Sequence, residues 1–170
     1  MNEKEVDLID LERCDPTFKD LILKIPGGEF LLKCFACGTC SAGCPVREID
    51  DNYNPRKIIR MILLGMKKEV LSSDFVWLCS TCYNCSERCP QGVHLTTIMR
   101  ALKNLAVREG LIPPAFQMQM DALRKFGKIY EIEDFDNKKR ERLGLSPLEK
   151  KNSDVEKLIP PIKKSETEGK

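Results

Sequence analysis

A mainly α-helical fold built by duplication is what this sequence predicts, and three observations carry the expectation. Two runs of the form C-x2-C-x2-C-x3-C-P recur 45 residues apart: Cys34, Cys37, Cys40, Cys44 and Pro45, then Cys79, Cys82, Cys85, Cys89 and Pro90. Each run is followed by a segment with apolar residues at helical spacing. Little near the cysteines shows the period-two alternation of a half-buried strand. The repeating unit is therefore a cysteine loop plus a helix, present twice as a pseudo-twofold pair, with extensions at both ends.

The cysteine spacing predicts the chemistry. This run is the bacterial iron–sulfur signature, and in two-cluster proteins its fourth cysteine serves the other cluster. Three cysteines at successive spacings of three can curl a short loop around three corners of a 4Fe-4S cubane. The fourth corner must be supplied from further away. The wider gap carries Cys44 and Cys89 past their loops, and the proline behind each fixes φ and turns the chain aside. Two 4Fe-4S clusters are expected: one on Cys34, Cys37, Cys40 and Cys89, the other on Cys79, Cys82, Cys85 and Cys44. Structural zinc also takes four cysteines, but normally as two pairs separated by a long spacer. A disulfide framework belongs to small secreted chains, and no signal peptide is visible.

Along the chain, residues 1–29 read as an adaptor segment with one short helix. Asp15-Pro16 offers a cap and a first-turn proline, and Thr17 to Ile25 can be helical before Pro26-Gly27-Gly28 stops it. Cys14 has no partner at ligand spacing and reads as an unliganded thiol. Residues 30–112 hold both cysteine runs. Between them, Asn54-Pro55 caps a predicted helix over Arg56 to Val70, with Ile59, Ile62, Leu63, Met66 and Val70 on one face. After the second run, Leu95, Ile98, Met99, Leu102, Leu105 and Ala106 form a second apolar stripe, with Arg100, Lys103, Asn104 and Arg108 opposite. His94, the only histidine, stands at that helix's entrance as a capping or surface residue. Phe35, Trp77 and Tyr83, beside or within the loops, are expected to shield the clusters from water.

Residues 113–136 are expected to add a C-terminal helix carrying Phe116, Met120, Leu123 and Phe126. Over 137–170 there are ten Lys or Arg against six Asp or Glu. Such a stretch builds no core, so it is expected to be disordered or an arm that orders on a partner, with Leu143, Leu145, Leu148, Leu158 and Ile159 as its apolar contacts.

Composition narrows the class. The chain has 170 residues, 42% of them hydrophobic, and a formal charge of +2. Its longest apolar stretch, Ile58 to Met66, is interrupted by Arg60 and falls well short of the roughly 20 residues a membrane helix needs. Membrane insertion is not expected, and with an acidic N-terminus lacking a hydrophobic leader the reading is cytoplasmic. Mixed-sign charge and sparse aromatics argue against nucleic-acid binding. Two oxidised clusters would bring the loaded chain to about −2. Arg47, Arg56, Arg60, Arg88, Arg100 and Lys103 lie close in sequence and could offset that charge.

The stretches CFACGTCSAGCPV (34–46) and WLCSTCYNCSERCPQGV (77–93), with PGGE before the first run, N-P-R-K opening the middle helix and W-x-C at the second, resemble the C subunit of heterodisulfide reductase. The resemblance covers roughly residues 15 to 125. It implies the alpha-helical ferredoxin fold and an electron-relay role within an oxidoreductase complex of methanogenesis, with no substrate-converting site in this chain. In that family, the A subunit holds flavin and iron–sulfur clusters, and the B subunit reduces the coenzyme M–coenzyme B heterodisulfide at noncubane clusters. Larger assemblies add a hydrogenase or formate dehydrogenase. The chain suits the middle position by lacking G-x-G-x-x-G and any Cys-Cys-Gly motif. An iron–sulfur relay of another dehydrogenase or sulfur-metabolism complex, and a non-redox structural metal module, stay open as alternatives.

Overall fold

The computed structural model describes residues 10–158, and all regular secondary structure among them is helical. The expectations for the acidic N-terminus, and for Ile159, Pro160 and Pro161 of the arm, fall outside the described residues. Two compact units form, Met1–Leu111 and Ile112–Lys170. No helix in either is long and apolar enough to cross a membrane, among the described residues.

The first unit holds eight α-helices among its described residues, with short 3-10 turns at Leu11–Arg13 and Leu31–Lys33. They are α1 (Phe18–Leu23), α2 (Thr39–Ala42), α3 (Pro45–Ile49), α4 (Pro55–Leu63), α5 (Lys67–Ser72), α6 (Phe75–Leu78), α7 (Asn84–Glu87) and α8 (Leu95–Arg108). α1 is shorter than its sequence pattern at both ends. The Asp15 carboxylate accepts the amide of Thr17 at 2.9 Å and its hydroxyl at 2.6 Å, which places the turn before the helix. At the other end Gly27 adopts φ +88°, and Gly28 folds so tightly over the helix terminus that a Cβ there would stand 2.0 Å from the Ile22 carbonyl oxygen. The word PGGE is thus a space requirement.

The middle segment departs from a single helix. Its apolar face is where the spacing put it, with Ile59, Ile62, Met66 and Val70 buried. The helix nevertheless breaks into α4 and α5 at Gly65, which takes φ +76° and offers its carbonyl to the Asp15 amide at 2.7 Å. The chain before α1 passes directly over this glycine, and a local pattern carries no information about that crossing.

α8 follows its predicted stripe and buries Leu95, Ile98, Met99, Leu102 and Ala106. Helices α5, α6 and α7 pack against it, α2 packs against α4 and α7, and α1 against α4. Phe18, Ile22, Leu31, Ile58, Ile62, Leu71, Val76 and Cys44 join the same buried cluster. The cysteine loops are set into this core rather than appended to it, because five of their eight cysteines pack partly buried on it and a sixth, Cys44, lies inside.

In the second unit, α9 (Pro114–Phe126) fills only the first part of the helix expected over 113–136, stopping at Gly127 with φ +69°, and buries none of its side chains. α10 (Asp134–Arg142) and α11 (Ser153–Leu158) are helical where the charge mixture suggested an extended or disordered arm. Two local devices account for α10. Glu133 and Asp136 form a capping box, and acidic residues open the helix while Lys139, Arg140 and Arg142 close it, in line with its dipole. The Asn137 side chain clasps the backbone of Leu148 in both directions, at 3.0 and 2.7 Å. α11 packs on α9.

Candidate metal centres

Positions 45 residues apart share a backbone. Ala36 and Thr81 both take positive φ, +60° and +57°, and two residues later Gly38 and Tyr83 do so again, at +84° and +64°. The successive left-handed residues wind each C-x2-C-x2-C segment into a tight loop before α2 or α7. Left-handed backbone costs an L-residue roughly 1–2 kcal/mol. Glycine meets that cost in the first loop, whereas a tyrosine bears it in the second.

Folding brings the runs together crosswise. One small cavity is lined by Cys34, Cys37 and Cys40 from the first run and by Cys89 and Cys85 from the second. The other, equally small, is lined by Cys79, Cys82 and Cys85 with Cys44. Cys85 and Leu95 line both, so the two spaces share a wall. The runs are also clasped directly. The Asn84 side-chain amide donates to the Gly43 carbonyl, and the Arg88 guanidinium lies where a Cβ on Gly43 would be. Cys14 lines neither space.

The lining donors suit iron–sulfur chemistry. Neither wall contains a histidine or carboxylate, and a soft, thiol-only set selects iron–sulfur clusters or zinc over hard cations. Among the described residues no three of these side chains converge closely enough to hold a single metal ion. Burial pushes the Cys40 and Cys85 thiols up, whereas the Thr39 hydroxyl holds Cys37 down. Metal must therefore displace protons from the inner thiols when it binds.

Hydrogen bonds reach the sulfurs from several sides. Thr39 Oγ1 lies 3.3 Å from Cys37 Sγ and Thr96 Oγ1 lies 3.3 Å from Cys85 Sγ, while the Val93 amide donates to Cys89 Sγ at 3.3 Å. Cations hold the loops themselves: Arg56 donates to the Ala36 carbonyl at 3.3 Å and Lys103 to the Cys79 carbonyl at 3.0 Å. Arg100 reaches the Tyr83 hydroxyl at 3.5 Å and Arg60 borders the groove beside Cys34. Five of the six cations singled out from sequence thus meet a loop or its surroundings, Arg47 being the exception among the described residues. Each residue of N-P-R-K has a place. Asn54 Oδ1 caps α4 through the Lys57 amide at 3.2 Å and accepts from Ser41 Oγ at 2.8 Å, Pro55 starts the helix, and Arg56 secures the first loop.

The shielding role expected of the loop aromatics is only partly met. Phe35 borders the first cavity but is 60% exposed, and Tyr83 is 43% exposed and lines neither space. Trp77 is half-buried against the core. Apolar cover comes instead from Ile59, Val93 and Leu95 on the first cavity and from Tyr53, Val46 and Met99 on the second. Tyr53 was not singled out by the sequence; burial beside Cys79 and Cys44 raises its phenol and keeps it neutral. No local signal marks it, since it faces the thiols across the fold. His94 stands at the α8 entrance as expected, its ring edge-on to Phe30 at 5.8 Å.

Residues 30–93 match the family of 4Fe-4S dicluster domains. The chain is 34% identical over 146 residues to the C subunit of the H2:CoB-CoM heterodisulfide,ferredoxin reductase of Methanothermobacter marburgensis, covering 86% of this chain and 78% of that protein. It is 39% identical over 127 residues to the C subunit of the ferredoxin:CoB-CoM heterodisulfide reductase of Methanosarcina mazei, covering 75% and 77%. With the iron–sulfur C 2 subunit of the CoB–CoM heterodisulfide reductase of Methanocaldococcus jannaschii it shares 34% identity over 170 residues, covering 92% and 90%.

Proposed function

The chain belongs to the C-subunit family of CoB-CoM heterodisulfide reductases, and on that premise we propose that it carries single electrons between two redox subunits of such a complex. The observation that carries the reading is the pair of adjoining thiol-lined cavities, with Cys89 of the second run on the wall of the first and Cys44 of the first run on the wall of the second. Cys34, Cys37, Cys40 and Cys89 would hold one 4Fe-4S cluster, and Cys79, Cys82, Cys85 and Cys44 the second. Bound there, the two clusters would accept and donate single electrons.

Everything else is the work of the chain. Cys85 and Leu95, common to both walls, set the separation of the two centres. The apolar linings exclude water, which disfavours added negative charge and lowers the potentials. The amide of Val93, the hydroxyls of Thr39 and Thr96 and the cations Arg56 and Lys103 act in the opposite sense. Lys103→Met is accordingly expected to lower the midpoint potential of the second-run centre by tens of millivolts and to leave the first in place. Redox titration followed by electron paramagnetic resonance reads this, and equal shifts of both centres would remove Lys103 as a local tuning residue.

The partners proposed are the flavin-bearing A subunit of the complex, and its B subunit, where the heterodisulfide is reduced, the whole residing in the cytoplasm. The second unit is proposed to dock on one of them, because Met118, Ile129, Phe135 and Leu143 are each two-thirds exposed or more. The purified chain should show a broad absorbance near about 400 nm that bleaches with dithionite. A colourless, zinc-containing protein would overturn the reading. Purified from its native host, the chain should co-elute with a flavoprotein and with a second protein rich in Cys-Cys-Gly motifs.

A further inference from the structure

We infer that Tyr83, backed by Arg100, is the anchor on which the redox partner serving the second-run centre docks; this rests on the relay reading above. The first loop supplies the internal comparison. At the position equivalent to Tyr83 it carries Gly38, in the same left-handed backbone, with nothing within 4 Å of where a Cβ would be. The loop geometry therefore needs no side chain there, and glycine would relieve the backbone. A tyrosine at such a position bears a backbone cost that the loop does not call for, so its use lies in the ring.

The ring does not serve the interior. It lines neither thiol cavity, is 43% exposed, and follows directly on Cys82, which is itself exposed. Cys37 and Cys82 are the two exposed thiols of the eight, so these loop tips are where each centre comes nearest the surface. An electron partner must approach there.

The local charge states what kind of partner fits. Arg100 lies exposed on α8, reaches the Tyr83 hydroxyl at 3.5 Å, and forms no ion pair with a carboxylate among the described residues. Lys103, one turn further along α8, donates to the Cys79 carbonyl and likewise has no carboxylate partner among the described residues. The surface thus presents an aromatic ring beside two cations that no carboxylate among the described residues pairs. It fits a protein patch with an apolar recess for the ring and a carboxylate for Arg100. Tyrosine and arginine are also the side chains that most often concentrate binding energy at the centre of an interface.

The test uses the full chain, loaded with iron and sulfide, and the redox subunits that co-purify with it. Tyr83→Gly is expected to keep iron content and both paramagnetic signals, to unfold no earlier than wild type, and to bind those subunits about tenfold to hundredfold more weakly. Tyr83→Phe should retain most of the affinity, and Arg100→Ala should lose part of it with a weakened salt dependence. Undiminished binding by Tyr83→Gly overturns the proposal. So does loss of the second-run signal in that variant, which would make the ring a support of the centre. If wild type itself binds no redox subunit, the relay reading falls and not merely this anchor.

Discussion

Cys44→Ala is expected to abolish the centre built on Cys79, Cys82 and Cys85 while the one on Cys34, Cys37, Cys40 and Cys89 persists. Cys44 lies 35 residues before the run it would serve, yet it is 8% exposed and lines the second cavity, not the first. Alanine there removes one thiolate from the ring of three others and opens a gap in the buried core. Iron content should fall by about half, and one of two paramagnetic signals should vanish. Cys89→Ala should do the reverse, removing the first-run centre and the sulfur that accepts the Val93 amide. If Cys44→Ala instead removed the first-run signal and spared the second, each run would hold its own cluster and the crossing would be refuted. The two variants must be read together, because metal binding and folding are coupled in a small core.

Gly65→Ala should destabilise the first unit by on the order of 3 kcal/mol. Two penalties coincide at that position. The backbone stands at φ +76°, and a Cβ would lie 2.3 Å from the carbonyl oxygen of Asp15, which is main chain and cannot swing away. Relief requires separating α1 from the α4–α5 break and losing the 2.7 Å bond from the Asp15 amide to the Gly65 carbonyl. Gly110→Ala is the control: its φ is +74°, but nothing lies within 4 Å, so only the strain of about 1 kcal/mol applies. Denaturant unfolding followed by circular dichroism, with cluster absorbance recorded in parallel, measures both. Equal effects from the two substitutions would show that the crossing over Gly65 contributes nothing.

The reach of the sequence differs from element to element. α8 was legible because its contacts follow its own period, so Leu95, Ile98 and Met99 declare their face without reference to anything else. The α4–α5 segment was legible in its apolar face and illegible in its break, since the reason for Gly65 is a stretch of main chain 50 residues earlier. α10 was misjudged from its net composition, although the capping residues Glu133 and Asp136 were available as a local signal. Position beside the cysteines does not reveal which way an aromatic points, and Phe35 and Tyr83 are both exposed.

By itself the sequence determined the number and grouping of the thiols, the helical character of what lies between them, and the family, because each of these is written in spacings of a few residues. Only the tertiary structure decided which cysteines share a cavity, which cations touch the loops, that Tyr53 rather than Tyr83 walls the second space, and that a glycine breaks the middle helix. All of those are meetings between residues far apart in the chain. Their cause is the packing of α2, α4, α7 and α8 around two adjoining spaces, and no local periodicity records it.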